Sequence, residues 1–136
     1  MSPVAAFTVW FFITVTLLLT AAYFGRTAAR APERRKIHVI FVLLTAGALA
    51  WTIKVAYDLG ALYDLASAGW ITPVHLAIAK VATGFLVFPI VAGILAWRDG
   101  KKRRAHAFLA WCAMVLIVLA AVTGTIMILL AQPKGL

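Results

Sequence analysis

Residues 105–132 read AHAFLAWCAMVLIVLAAVTGTIMILLAQ and contain no Asp, Glu, Lys or Arg. A helix that crosses the hydrocarbon core of a bilayer needs about 20 predominantly apolar residues, and this stretch exceeds that length. Three more predominantly apolar stretches of this length occur at 4–25, 37–60 and 72–97. The sequence therefore predicts an all-α integral membrane protein, an up-down four-transmembrane-helix bundle forming a single domain over residues 1–136.

The composition supports a lipid environment for this chain. Hydrophobic residues make up 65% of its 136 residues and charged residues only 12%, and the mean hydropathy is +1.02. These values exclude a soluble enzyme, a disordered chain and a nucleic-acid-binding domain. The bilayer is therefore the first predicted partner.

The net charge of +9 is explained by topology. Ten of the 13 Lys and Arg residues lie at 26–36 and 98–104, in short loops between apolar runs. Such loops stay on the cytoplasmic side, whereas the 61–70 loop has acids and no bases and is predicted to lie outside. We therefore expect a multi-pass protein of the bacterial inner (cytoplasmic) membrane with both termini on the outer side.

Two prolines mark features of the third span. Thr72 and Pro73 form an N-cap and first-turn pattern, which predicts that this helix begins with Pro73 as its first residue. Pro89 lacks a backbone N–H and is predicted to kink the same helix.

Two histidines are predicted at one cytoplasmic depth. His38 follows the basic run that precedes the second span, and His106 follows the basic run that precedes the fourth. Two neutral histidines on facing helices at one level are the ligand set of a b-type haem, with basic neighbours available to its propionates. The alternative is that both histidines simply lie among lipid headgroups.

A second polar group is predicted near the outer surface. His75 lies near the outer end of the third span, too far from His38 and His106 to share one metal ion with them. Lys54 and Lys80 are expected at matching depths and, with His75, predict a polar pocket for an anion or a quinone. In the alternative, Lys54 pairs with Asp58 and Lys80 extends to the interface.

The sequence contains no catalytic motif, so electron transfer is the most that it supports as an activity. The soft side chains of the fourth span, such as Cys112, lie on different turns, which disfavours a copper site. We identify no internal repeat beyond the helix hairpins and no inverted repeat, which disfavours a transporter. Four glycines are expected to permit close helix packing: Gly47, Gly84, Gly93 and Gly124.

The second to fourth spans contain motifs that resemble a known family. These motifs are Arg34-Arg35-Lys36-Ile37-His38, Ala79-Lys80 with Phe88-Pro89-Ile90, and Arg103-Arg104-Ala105-His106 with Trp111 and Thr123-Gly124. Over about three quarters of the chain they resemble small four-helix membrane proteins linked to cytochrome oxidase maturation. The spacing from His106 to Thr123-Gly124 also resembles b561-type membrane cytochromes.

The resemblance implies a protein that handles haem or a metal during oxidase assembly, with His38 and His106 at the inner histidine positions. Lys80 stands where that family is expected to have a histidine, and Tyr57-Asp58 stands where another is expected. We therefore predict an inner-membrane protein of the respiratory chain that handles haem b as an assembly factor or small b-type cytochrome, with a quinone as a second cofactor. The alternative is a cofactor-free accessory or structural subunit of a larger respiratory or photosynthetic membrane complex.

Overall fold

The computed structural model describes residues 1–28 and 31–135. Arg30, one of the basic residues predicted to lie on the cytoplasmic side, falls outside the described residues. Four helical segments of the described chain are long and apolar enough to cross a membrane: Pro3–Thr27, Glu33–Gly60, Ile71–Arg98 and Gly100–Leu130. This confirms the all-α class and the four predicted spans.

The chain divides into two compact units, Met1–Leu62 and Tyr63–Leu136. The first unit is a helical hairpin in which α1 (Pro3–Thr27) packs along α2 (Pro32–Gly60). Helix α2 begins in the basic loop, earlier than the predicted start at residue 37. Its first turn carries Pro at the N-terminal position and the acidic Glu33, both of which favour a helix start.

A buried pair of hydroxyl groups joins the two helices of the first unit. The Oγ1 atoms of Thr14 on α1 and Thr52 on α2 are 2.8 Å apart. The Thr52 hydroxyl also lies 2.8 Å from the carbonyl oxygen of Ala48 and 3.1 Å from that of Trp10. A carbonyl oxygen only accepts, so Thr52 donates to a carbonyl and accepts from Thr14.

The second unit contains the third and fourth spans. Its third span consists of α3 (Ile71–Phe85) and α4 (Val87–Arg98), which both pack against α5 (Arg103–Leu130). The helix is interrupted at Leu86, near Pro89, which has no N–H to donate to the carbonyl oxygen of Phe85. The predicted kink at Pro89 stays a prediction.

The predicted start of α3 was wrong by two residues. The helix begins at Ile71 with Trp70 at the N-cap position, and Thr72 and Pro73 follow inside the first turn. The first four N–H groups of a helix have no acceptor within it, so proline is tolerated at its third position as well. The Thr72 hydroxyl does not cap the helix but donates to the carbonyl oxygen of Leu65.

A small clasp closes one end of the second unit. Strand β1 (Tyr63–Asp64) pairs antiparallel with β2 (Gln132–Pro133), directly after α5. The backbone N–H of Gln132 also donates to the hydroxyl of Ser67, at a distance of 2.8 Å. Beneath the clasp lies a cluster of buried side chains: Ala68, Ile71, Met127 and Ala131.

Large apolar side chains are exposed along all of the long helices. Examples are Phe12, which is 61% exposed, Leu43 at 67% and Leu129 at 78%. In a soluble protein such an extensive apolar surface would be a liability, whereas hydrocarbon accommodates it without cost. The surface therefore supports contact with a lipid bilayer.

Candidate functional site: three histidines held by neighbouring helices

His38 lies in the second turn of α2, where its partly buried ring reaches across to α1. Its Nδ1 is 2.8 Å from the carbonyl oxygen of Ala21. Gly25, one turn further along α1, lies against the same ring, and a Cβ built on Gly25 would be 3.0 Å from the ring atom Cε1. The absence of a side chain at Gly25 therefore gives the imidazole room to reach the carbonyl.

His106 makes the corresponding contact in the second unit. It lies in the first turn of α5, and its Nδ1 is 2.9 Å from the carbonyl oxygen of Pro89 on α4. Gly93 lies against the ring, and a Cβ on Gly93 would be 3.1 Å from Cε1. In both hairpins the histidine and the residue that supplies the carbonyl are 17 positions apart.

His75 on α3 is held in a related way against α5. Its Nδ1 is 3.1 Å from the hydroxyl oxygen of Thr123. The Thr123 hydroxyl donates to the carbonyl oxygen of Leu119 at 2.8 Å, so it accepts from the imidazole. A Cβ on Gly124 would be only 2.8 Å from Cε1 of His75.

These contacts assign the tautomer of each neutral ring. The acceptors of His38 and His106 are carbonyl oxygens, which cannot donate, and the hydroxyl that faces His75 donates elsewhere. In all three residues Nδ1 therefore carries the proton, and the lone pair lies on Nε2. This is the usual state of a metal-binding histidine, whose other ring nitrogen donates to a backbone carbonyl or a similar acceptor.

Gly25 and the matched arrangement of the two hairpins were missed at the sequence level. The second unit has the same arrangement with the same spacing. Its Pro89, Gly93 and His106 correspond to Ala21, Gly25 and His38 of the first unit. The signal was present in the sequence as a glycine and a histidine at one fixed separation. The matching contacts lie within the two helix hairpins, so they agree with the prediction that there is no repeat beyond these hairpins.

Two of the four glycines assigned to packing have a different environment. Among the described residues, a Cβ on Gly47 or Gly84 would meet no atom within 4 Å beyond its chain neighbours and its own helix backbone. Gly93 and Gly124 do mediate close approach, but what approaches them is an imidazole ring. Close helix packing within the unit therefore does not explain Gly47 and Gly84.

The polar residues predicted near the outer surface belong to different units. In the first unit, Lys54 forms an ion pair with Asp58, with 2.6 Å between Nζ and Oδ2, and both side chains are more than half exposed. In the second unit, Lys80 is exposed while His75 is turned towards α5. Asp58 thus compensates the charge of Lys54 locally, and a shared outer pocket stays a prediction.

Basic residues precede both His38 and His106 in the chain. Arg35 and Arg103 each lie one helical turn before a histidine and on the same face of its helix. Arg35 is partly buried and Arg103 is exposed. The guanidinium group of Arg103 lies near Gly100, 3.7 Å from where a Cβ on that glycine would stand.

No cluster of three or more His, Cys, Asp and Glu side chains that could hold a metal ion occurs within residues 1–28 and 31–135.

Comparisons with protein-family models, with curated proteins and with solved structures find no match for this chain.

Proposed function

We propose that this protein handles haem in the respiratory chain of the bacterial inner membrane, as an oxidase assembly factor or as a small b-type cytochrome. His38 and His106 supply imidazole nitrogens to the iron. The observation that carries this proposal is the contact of each Nδ1 with a carbonyl oxygen, that of Ala21 for His38 and that of Pro89 for His106, which assigns the proton of the neutral ring to Nδ1. It leaves the lone pair on Nε2, the nitrogen that would ligate iron.

The residues of the chain fit a haem in two further respects. The two imidazoles are held by the same kind of contact, so they present the same nitrogen. The basic runs that precede both histidines would supply cations for carboxylate groups such as the propionates. Bound haem would supply one-electron chemistry, while His38 and His106 would hold its iron and the apolar helices would exclude water.

The resemblance to small four-helix proteins linked to cytochrome oxidase maturation supports the respiratory context of the proposal. It also supports His38 and His106 as the inner ligands. A quinone near His75, Lys54 and Lys80 is part of the same proposal, because electron transfer across the membrane needs an acceptor at the opposite face.

A cofactor-free accessory subunit of a respiratory or photosynthetic complex is the second candidate. One observation favours it: each imidazole ties two helices of its own unit together, which is a sufficient structural role without any ligand. Under this alternative, the protein purifies with larger membrane subunits at fixed stoichiometry and has no visible absorbance of its own.

A haem titration tests the proposal. The protein is purified in detergent, ferric haem is added stepwise, and the Soret band is recorded for the wild type and for His38→Ala and His106→Ala. We expect saturable binding in the wild type and a loss of the six-coordinate spectrum in either variant. His75→Ala is the matched control, because it also removes an imidazole held between two helices. Equal binding by all four proteins would contradict the assigned ligands.

A further inference from the structure

The imidazoles of His38 and His106 each contact a backbone carbonyl oxygen that has a glycine four residues further on. The pairs are Ala21 with Gly25 and Pro89 with Gly93. In an α-helix the N–H of residue i+4 donates to the carbonyl oxygen of residue i, so the side chain at i+4 stands beside that oxygen. A glycine there leaves the second lone pair of the oxygen open to a neighbouring helix.

Alanine at these positions would occupy the space that the rings use. Its Cβ would lie 3.0 Å from Cε1 and 3.1 Å from Nδ1 of His38 at position 25. At position 93 the distances to Cε1 and Nδ1 of His106 would be 3.1 Å and 3.3 Å. These separations are shorter than ordinary van der Waals contacts, so each ring would have to retreat from the carbonyl that it donates to.

We propose that Gly25 and Gly93 are positioning residues for His38 and His106. By leaving the carbonyl oxygens of Ala21 and Pro89 open to the rings, they hold the neutral imidazoles in the Nδ1–H tautomer, in which the lone pair is on Nε2. The tautomer follows from the contacts within each hairpin, whereas a haem iron that Nε2 would bind rests on the proposed function.

The hydrogen bond also has an electronic consequence for the ligand. An imidazole that donates Nδ1–H to a carbonyl is a more basic ligand through Nε2, and loss of such a partner typically weakens metal binding by about 10- to 100-fold. A more basic ligand favours ferric over ferrous iron. Gly25→Ala and Gly93→Ala are therefore expected to weaken ferric haem binding and to shift the midpoint potential to more positive values.

The chain provides its own controls. Gly47 and Gly84 are also helical glycines, but in the described part of the chain a Cβ on either would meet no atom within 4 Å apart from its chain neighbours and its own helix backbone. Gly47→Ala and Gly84→Ala therefore change helix propensity in the same way without touching a histidine. Any effect confined to Gly25→Ala and Gly93→Ala is due to the ring contact.

The tautomer is measured first, on the full chain in detergent micelles without added haem. Proton–nitrogen correlation spectra of ¹⁵N-labelled histidine distinguish Nδ1–H from Nε2–H. We expect three Nδ1–H rings in the wild type, an altered signal from His38 alone in Gly25→Ala, and from His106 alone in Gly93→Ala. Nε2–H rings in the wild type would overturn the inference, and this result does not depend on the folding of any variant. Equal changes in the histidine signals of Gly47→Ala and Gly84→Ala would also overturn it.

Haem titration of the same five proteins separates the inference from the proposed function. Weaker binding by the Gly25 and Gly93 variants, but not by the Gly47 and Gly84 variants, would support the positioning role. Haem binding of wild-type strength by all five proteins would overturn it. If the wild type has three Nδ1–H rings but binds no haem, the tautomer assignment is correct and the proposed function is contradicted.

Discussion

The Nδ1 atom of His106 lies 2.9 Å from the carbonyl oxygen of Pro89 and donates its proton to it. The contact joins the first turn of α5 to α4, close to the interruption at Leu86. His38 makes the corresponding contact with Ala21, again 17 positions earlier in the chain. Two hairpins of different sequence thus hold one imidazole each in the same way.

The hydroxyl pair of the first unit is expected to contribute to its stability. In Thr52→Val the hydrogen bond to Thr14 is lost, although the shape of the side chain is nearly kept. Hydrogen bonds between membrane helices contribute about 0.6 kcal/mol on average and at most about 1.7 kcal/mol. We expect a loss in this range in the free energy of unfolding, measured by denaturant titration in mixed micelles.

Thr8→Val is the control for this experiment. Thr8 lies on α1, and its hydroxyl donates within its own helix to the carbonyl oxygen of Val4. A destabilisation of equal size in Thr8→Val would show that the contact between Thr14 and Thr52 has no special role.

The two lysines near the predicted outer surface are expected to behave differently. Lys54 is neutralised locally by Asp58, whereas Lys80 is exposed on α3. We therefore expect Lys80→Ala to weaken binding of a ubiquinone analogue several-fold and Lys54→Ala to have a smaller effect, as measured by fluorescence quenching in detergent. Wild-type affinity in the Lys54→Ala, Lys80→Ala double variant would exclude both lysines from quinone binding.

The clasp at the end of α5 depends on Ser67. Its hydroxyl accepts the backbone N–H of Gln132, and a hydrogen bond of this kind contributes about 1 kcal/mol. In Ser67→Ala we expect hydrogen exchange at the amide of Gln132 to accelerate roughly fivefold. Ser2→Ala, which removes a capping hydroxyl at the start of α1, serves as the control and leaves the Gln132 exchange rate unchanged.

The sequence was sufficient to predict the helices of this protein because lipid imposes a simple rule. A helix must satisfy its backbone polar groups internally, so each apolar stretch of sufficient length becomes a span. The exact ends were less predictable, as Thr72 shows. Its hydroxyl donates to the carbonyl oxygen of Leu65. The short 3-10 helix Leu65–Ala68 and Gly69, whose φ of 69° turns the chain, bring this carbonyl to the hydroxyl.

The candidate site was only partly predictable. His38 and His106 stood out because ionisable residues are rare in apolar stretches. Their acceptors are backbone carbonyls, which every residue has, so the sequence carries no signal for Ala21 or Pro89 as partners. The contact between Gly25 and the ring of His38 is a feature of the folded chain that the sequence does not indicate.

The central claim is that His38 and His106 ligate haem iron, and a visible spectrum tests it most directly. The protein is expressed with haem supplied, purified in detergent, and recorded as a dithionite-reduced minus oxidised difference spectrum. The account predicts sharp α and Soret bands in the wild type that disappear in His38→Ala and in His106→Ala. A flat difference spectrum from folded wild-type protein would contradict it and would favour the cofactor-free accessory subunit.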